Sequence, residues 1–254
     1  MILSIIIPAF NEADPIVEVI DQVDAADTAG YSKEILVVDD GSSDGTAAAA
    51  LAAFARLGSG ATGRVITQSV NRGKGAAVRR GYEACTGDLV VVQDADLEYD
   101  PAEFRLLLAP IDGGRGDLVI GSRFIGGRPR RVVYLSNAIG NRLMSALFSV
   151  VSGLRLTDVH CCYLLLPGDL ARAAAPMLRS SRWGFNPEIC SLLADWRHEL
   201  RIIEVGISYY GRSKLDGKKI RMRHGLVAVA EILRFNLRRP RPFPAGVAAG
   251  RRRT

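Results

Sequence analysis

The stretch VVVQDADLEYDP, residues 90–101, runs three valines into four acidic residues within seven positions. Its first half reads as a β-strand with no polar alternation, the pattern of a strand covered on both faces. Similar runs recur along the first half of the chain: LSIIIP, KEILVVDD, GRVITQ and GDLVIGSR. Helical spacing falls between them, at Pro15–Thr28, Thr46–Leu57, Gly75–Thr86 and Pro101–Ile111. Strand and helix in alternation predict βαβ units and a mostly parallel sheet with helices on both faces, an α/β fold. In such sheets ligands bind beyond the carboxyl ends of the strands. Asn11 and Glu12, Asp39 and Asp40, and Asp94 and Asp96 stand at those ends.

Beyond Gly121 the alternation weakens. Residues 132–156 place Leu135, Ile139, Leu143, Leu147 and Val151 at four-residue steps, predicting an amphipathic helix with few charges. It reads either as a core helix or as one lying on a bilayer. YLLLP and LRIIEVGISYY predict further strands, and Lys218–Arg238 a final basic helix. With no repeat and no clear linker, one domain is expected over residues 1–236. A basic tail, expected to be unstructured, follows at 237–254.

The 254 residues are 48% hydrophobic, enough for a substantial core, which excludes a disordered chain. No apolar run reaches the ~18 residues of a membrane span, and the N-terminus lacks the basic flank of a signal peptide. Cys85, Cys161, Cys162 and Cys190 follow neither metal-ligand nor disulfide spacing, so a reducing, cytoplasmic setting is expected. The net charge of +6 is uneven: from Arg212 to Thr254 there are 13 Lys or Arg against 2 Asp or Glu. That end suits an anionic surface. Basic and aromatic residues are not interleaved there, so a membrane is the expected partner and nucleic acid is not.

Carboxylates two apart on a strand share a face, so Asp94 and Asp96 can both reach one hard divalent cation. Glu98 adds a third oxygen if the chain stays extended. Such an ion, Mg2+ or Mn2+, can grip the diphosphate of a nucleotide-activated sugar. Asp100, just before Pro101, reads instead as a helix N-cap, as does Asp44 before Gly45. Asp39 and Asp40 are adjacent like charges, which a ligand or cation would have to offset. In NRGKGAAVRRG, residues 71–81, Arg72 and Lys74 precede a predicted helix, where anions are favoured. The segment lacks both the dinucleotide fingerprint and the P-loop ending.

Taken in order, SIIIPAFNE, VVDDGSSDGT, NRGKGAAVRRGYEACTGDLVVVQDADLEYDP and GSRF resemble the family 2 glycosyltransferases of GT-A fold. The resemblance runs from about Leu3 to Arg223. Within the family it lies nearest the dolichol-phosphate mannose synthase-like enzymes, which glycosylate polyprenyl phosphates. It implies that Pro8, Phe10 and Glu12 line a nucleoside pocket, with Phe10 where the family usually has Tyr. It further implies that Asp39 contacts the nucleoside and that Asp94, Ala95 and Asp96 meet the metal and donor diphosphate. Glu98 replaces a metal-ligating Gln found in some members. By the same resemblance Arg123 lies near the donor diphosphate and acceptor phosphate, and Arg212 and Lys218 form a basic pair on the leaving group. Asp158 and Glu188 match acidic positions on the acceptor side.

The implied reaction is inverting transfer of a sugar from a UDP- or GDP-sugar to a polyprenyl phosphate, peripherally at the inner face of the cell membrane. The alternative is a glycosyltransferase acting on a saccharide or small-molecule hydroxyl. A hydroxyl acceptor would need a general base, for which Asp158 and Glu188 are the candidates; an ionised phosphate would not. A non-catalytic nucleotide binder leaves the acidic turn unexplained.

Overall fold

A computed structural model describes residues 1–58, 60–127, 129, 135–182, 184–211 and 223–247. Arg212 and Lys218 lie outside the described residues. Seven strands form one sheet: β1 (Ile2–Ala9), β2 (Ser32–Asp39), β3 (Ala61–Thr67), β4 (Leu89–Val92), β5 (Leu118–Ser122), β6 (Leu164–Pro167) and β7 (Ile202–Gly206). Their order across the sheet is β3-β2-β1-β4-β6-β5-β7. β6 is antiparallel to both β4 and β5, and the other pairings are parallel.

The central strands are largely apolar without alternation because both faces are covered; β3, at the sheet edge, is the exception, with Thr62, Gly63 and Arg64 exposed. In β1, Leu3, Ile5 and Ile7 face one way, packing with Ile16, Val19, Ile20 and Val23 of α1 (Ala13–Ala25). The same side takes in Ala50 and Ala53 of α2 (Thr46–Phe54) and Phe104, Leu107 and Leu108 of α4 (Phe104–Asp112). Ile6 faces the other way, toward Ala77, Val78 and Tyr82 of α3 (Lys74–Ala84). That second layer also holds α6 (Gly168–Ala174) and α7 (Phe185–Asp195), with Phe148 of α5 (Leu135–Ser152) and Ile232 of α8 (Arg223–Asn236). Each fully buried Ile, Leu or Val stabilises the fold by about 1.5–3 kcal/mol relative to exposure. Close approach has a sequence cost: a Cβ at Gly81 would collide with Ile6, so at that point α3 comes this close to β1 only with glycine.

The expected first-half elements are all present, and Asp100 caps a turn of 3-10 helix (Pro101–Glu103) by accepting from the Ala102 amide at 2.9 Å. α6 was not anticipated, since its seven residues are too short for helical periodicity to register. Part of the stretch expected to be an unstructured tail is packed instead. The Trp196 indole donates to the carbonyls of Arg241 and Pro242 at 3.2 and 3.0 Å, and Phe243 meets its ring edge-on at 5.6 Å. Arg238 pairs with Asp195 at 2.9 Å. These contacts strap residues 238–243 across the end of α7.

Candidate active site

The loops that leave β1, β2, β4 and β5 meet at the carboxyl edge of the sheet. After β1, Asn11 adopts a positive φ of 53°, and its side chain accepts from the Ser43 amide at 3.0 Å. The Ser42 hydroxyl accepts from the Asn11 amide at 2.9 Å, and the Thr46 hydroxyl from the Glu12 amide at 3.0 Å. The first two loops are thereby clasped together. Pro8 is partly buried, whereas the Phe10 ring is exposed beside that clasp, an available stacking surface.

Asp39 and Asp40 are both buried, and their charges are offset by protein groups. Asp39 accepts from the Ser42 amide at 3.0 Å. Asp40 takes the amides of Arg72 at 2.8 Å and Gly73 at 2.6 Å, plus the Gln68 side chain at 3.1 Å. No ligand is needed to explain Asp40: it builds the turn that starts α3. Gly73 makes that turn possible, with φ 98° and a Ser181 carbonyl where a Cβ would stand.

The first residue of α3, Lys74, reaches Asp94 at 2.5 Å and the Cys162 sulfur at 2.7 Å. Burial pulls the lysine pKa down, but the Asp94 carboxylate outweighs it and the net shift is upward, so the ammonium stays charged. Burial, with Asp94 adding to it, pushes the Cys162 thiol up to about 12, leaving it protonated at neutral pH. His160 moves the other way, pushed by burial to about 4 and hence neutral.

β4 ends at Val92, before the acidic turn, and Leu97 bends the chain with φ 59°. The extended path that would align Glu98 with Asp94 and Asp96 is therefore not taken. Asp96 accepts from the Glu98 amide at 3.2 Å, and the Glu98 carboxylate accepts from the Tyr209 hydroxyl at 2.7 Å. Ala95 is buried beneath the turn. Gln93 braces it from below: its amide donates to the Asp94 and Tyr99 carbonyls at 3.1 and 3.2 Å and accepts from Tyr163 at 2.7 Å.

Among the described residues, no three Asp, Glu, His or Cys side chains gather closely enough to enclose a metal ion. Two aspartates completed by diphosphate oxygens still form the all-oxygen set that a hard divalent ion takes. Asp94 and Asp96, which lie in the turn beyond β4 and not on a shared strand face, would be the protein ligands of such a set, and Glu98 is held by Tyr209.

After β5, Arg123 forms a bidentate pair with Asp158, Nε to Oδ2 at 2.6 Å and an Nη to Oδ1 at 2.8 Å. Its backbone amide adds a third bond at 3.1 Å. The aspartate side chain is fully buried and the arginine nearly so. The guanidinium also lies over the Tyr209 ring, 5.0 Å from its centroid, so Tyr209 links Arg123 to Glu98. Glu204 supports the pair from behind, accepting from the Thr157 and Asp158 amides at 2.9 and 3.2 Å. Burial raises its pKa despite these bonds.

Glu188 does not join this constellation. Its buried carboxylate accepts from the amides of Arg179 and Ser180 at 2.9 and 2.6 Å, with Arg241 4.0 Å away. Its neighbour Asn186 does face the site, donating to the His160 and Cys161 carbonyls at 3.0 and 3.2 Å. Sequence reasoning did not single out Gln93, Tyr163, Tyr209 or Glu204. Their roles depend on contacts across 70 to 111 residues for Gln93–Tyr163 and Glu98–Tyr209, and no local pattern marks them.

A mostly parallel sheet with helices on both faces, carrying an acidic turn and a cluster of bases at its carboxyl edge, is that of a GT-A glycosyltransferase. The family model described as "Glycosyl transferase family 2" matches residues 4–166, and the chain belongs to that family. It is 33% identical over 162 residues to the undecaprenyl-phosphate 4-deoxy-4-formamido-L-arabinose transferase of Klebsiella pneumoniae subsp. pneumoniae. That match covers 63% of this chain and 46% of the relative, less than half its length. It is 30% identical over 242 residues to the dolichyl-phosphate beta-glucosyltransferase of Drosophila melanogaster, covering 86% of this chain and 69% of the relative. Among solved structures, glucosyl-3-phosphoglycerate synthase from Mycobacterium tuberculosis, crystallised with Mn2+, UDP and glucosyl-3-phosphoglycerate, superposes with a TM-score of 0.66. The identity there is 21%, covering 92% of this chain and 80% of that one, a likeness of fold.

Proposed function

We propose that the chain transfers a sugar, with inversion at the anomeric carbon, from a nucleoside diphosphate sugar to a polyprenyl phosphate such as dolichyl or undecaprenyl phosphate. The names of the two relatives above support the acceptor class. One observation in this molecule carries it: both carboxylates that would serve as general base are already engaged. Asp158 is locked by Arg123, and Glu188 holds the Arg179–Ser180 backbone. A sugar hydroxyl, with its high pKa, would have no proton acceptor in either. A phosphate is ionised near neutral pH and attacks unaided.

In this reading Phe10 stacks on the nucleoside base, and Pro8, Glu12 and Asp39 shape the pocket around it. Asp94, with Ala95 beneath, and Asp96 hold a Mg2+- or Mn2+-type ion, which when bound neutralises charge on the leaving diphosphate. Lys74 and Arg123 stabilise the same developing charge from the protein side. Arg212 and Lys218 are assigned to the leaving group as well.

A membrane-bound acceptor requires the protein to reach a bilayer. No helix of the described residues is long and apolar enough to cross one. α5 instead exposes Ile139, Leu143 and Val150, and the adjacent α8 exposes Val227, with Leu237 just beyond it. We assign this face, with the basic C-terminal segment, to the membrane surface at its cytoplasmic side.

The test is to incubate the protein with labelled UDP- and GDP-sugars and either polyprenyl phosphate or water-soluble acceptors. Label that partitions into organic solvent is the expected result. Label confined to the aqueous phase would instead establish transfer to a soluble hydroxyl.

A further inference from the structure

The contact between Lys74 and Asp94 has an unusual setting. Lys74 opens α3, a helix with no acidic residue in its first turn, so its positive charge sits at the positive end of the helix dipole. Helix stability does not favour a cation there; Asp94 does, at 2.5 Å. Asp94 is also the first of three carboxylates in five residues, and on the reading above it is a ligand for a divalent ion. The ammonium meets Oδ1, so an ion on the same carboxylate, even through Oδ2, would sit beside a like charge. Both side chains keep partial access to solvent, 26% for Lys74 and 13% for Asp94, so the ammonium has room to swing away.

We propose that Lys74 is an internal counter-cation that occupies the ion's place on Asp94 until donor binding exchanges it. This rests on the functional reading above and adds a binding order to it. In the exchange no covalent bond changes. The ammonium leaves the Asp94 carboxylate for an oxygen of the incoming diphosphate, and the divalent ion takes the carboxylate oxygen it vacates. An ion arriving alone is opposed by the charge of Lys74, with nothing else to receive the ammonium. A diphosphate arriving alone draws the ammonium off Asp94 and leaves that carboxylate without its counter-charge. Ion and nucleotide therefore bind cooperatively, and the coupling is reciprocal.

Binding of Mn2+ to the whole chain, followed by electron paramagnetic resonance and equilibrium dialysis, tests this without any turnover. Titrations are run with Mn2+ alone and with UDP or GDP present. In the wild type we expect weak binding of Mn2+ alone and at least tenfold tighter binding with one nucleotide. Lys74→Met should tighten binding of Mn2+ alone about tenfold and shrink the nucleotide-induced gain by a similar factor. Lys74→Arg, which restores the charge, should keep Mn2+ binding weak, and Asp94→Asn should remove it in every background. Unchanged or weaker binding of Mn2+ alone by Lys74→Met overturns the exchange, as does Lys74→Arg behaving like Lys74→Met. In both cases the functional reading stands. If wild type binds no Mn2+ with either nucleotide, that reading falls, and the exchange with it.

Discussion

Lys74–Asp94 and Arg123–Asp158 are both pairs of one cation with one aspartate, formed by loops at the same edge of the sheet, yet they are built differently. Lysine offers a point charge on a flexible stem, and its pair keeps some exposure on both sides. Arginine offers a planar fork that engages both carboxylate oxygens, and the Arg123 backbone amide adds another bond. The Asp158 side chain is sealed from solvent. The first pair suits exchange. The second is architecture, and it holds the loop after β5 in place for whatever Arg123 meets at the site.

The sharpest way to break this distinction is to remove each aspartate in turn. Asp94→Ala should reduce transfer by about ten-thousandfold or more, ~5 kcal/mol in the barrier. Its folding stability should fall less than that of Asp158→Ala, because Lys74 keeps more access to water than Arg123. Asp158→Ala should show the reverse emphasis, with a stability loss of about 3–5 kcal/mol from a buried, unpaired arginine. Urea denaturation of both variants decides it; equal stability losses would erase the contrast.

Asp40→Ala probes the turn that presents Lys74. It leaves the Arg72 and Gly73 amides without their acceptor, which should cost about 1–3 kcal/mol and weaken nucleotide binding, read by denaturation and calorimetry. His160, beside the Arg123–Asp158 pair, gives a pH signature. Burial holds it at about 4 when folded, against 6.5 for the free side chain. Between those values the unfolded chain binds the extra proton, so stability falls as pH drops from about 6.5 toward 4 and is unaffected by this group above that window. The expected loss is on the order of 2 kcal/mol, and His160→Asn should flatten it in denaturation midpoints measured at pH 7 and pH 5. The smallest effect concerns neither pair. Deleting residues 248–254, with Arg251, Arg252 and Arg253, should weaken binding to anionic vesicles roughly tenfold, in a salt-sensitive way, while turnover on detergent-solubilised acceptor is unchanged.

The asymmetry between the pairs was not legible in the sequence, although much around them was. The runs Ile5–Ile7, Ile35–Val38, Leu89–Val92 and Leu118–Ile120 are apolar without alternation because both faces are covered, so they announce buried parallel strands. The acidic turn is conspicuous because carboxylates end such a run. Asp40 was misleading: next to Asp39 it suggested a missing ligand, when its partners are backbone amides some 30 residues later. Pairing of Arg123 with Asp158, or of Lys74 with Asp94 and Cys162, depends on which loops the sheet order brings together. Helical and strand periodicity report on one element at a time and say nothing of that order. Glu98 failed for a local reason, since a positive φ at Leu97 has no sequence mark in a residue other than glycine or asparagine.

The reversed direction of β6 has a consequence for how this site is assembled. Parallel strands supply the residues that follow them to the carboxyl edge, but β6 runs the other way and supplies those that precede it. Asp158, His160 and Cys162 thus enter as the approach to a strand, wedged between the exits of β4 and β5, which the intervening strand holds about 9–10 Å apart. One inserted segment touches both neighbours, Cys162 toward Lys74 and Asp158 toward Arg123, so a shift along β6 would be felt at the two ion pairs together.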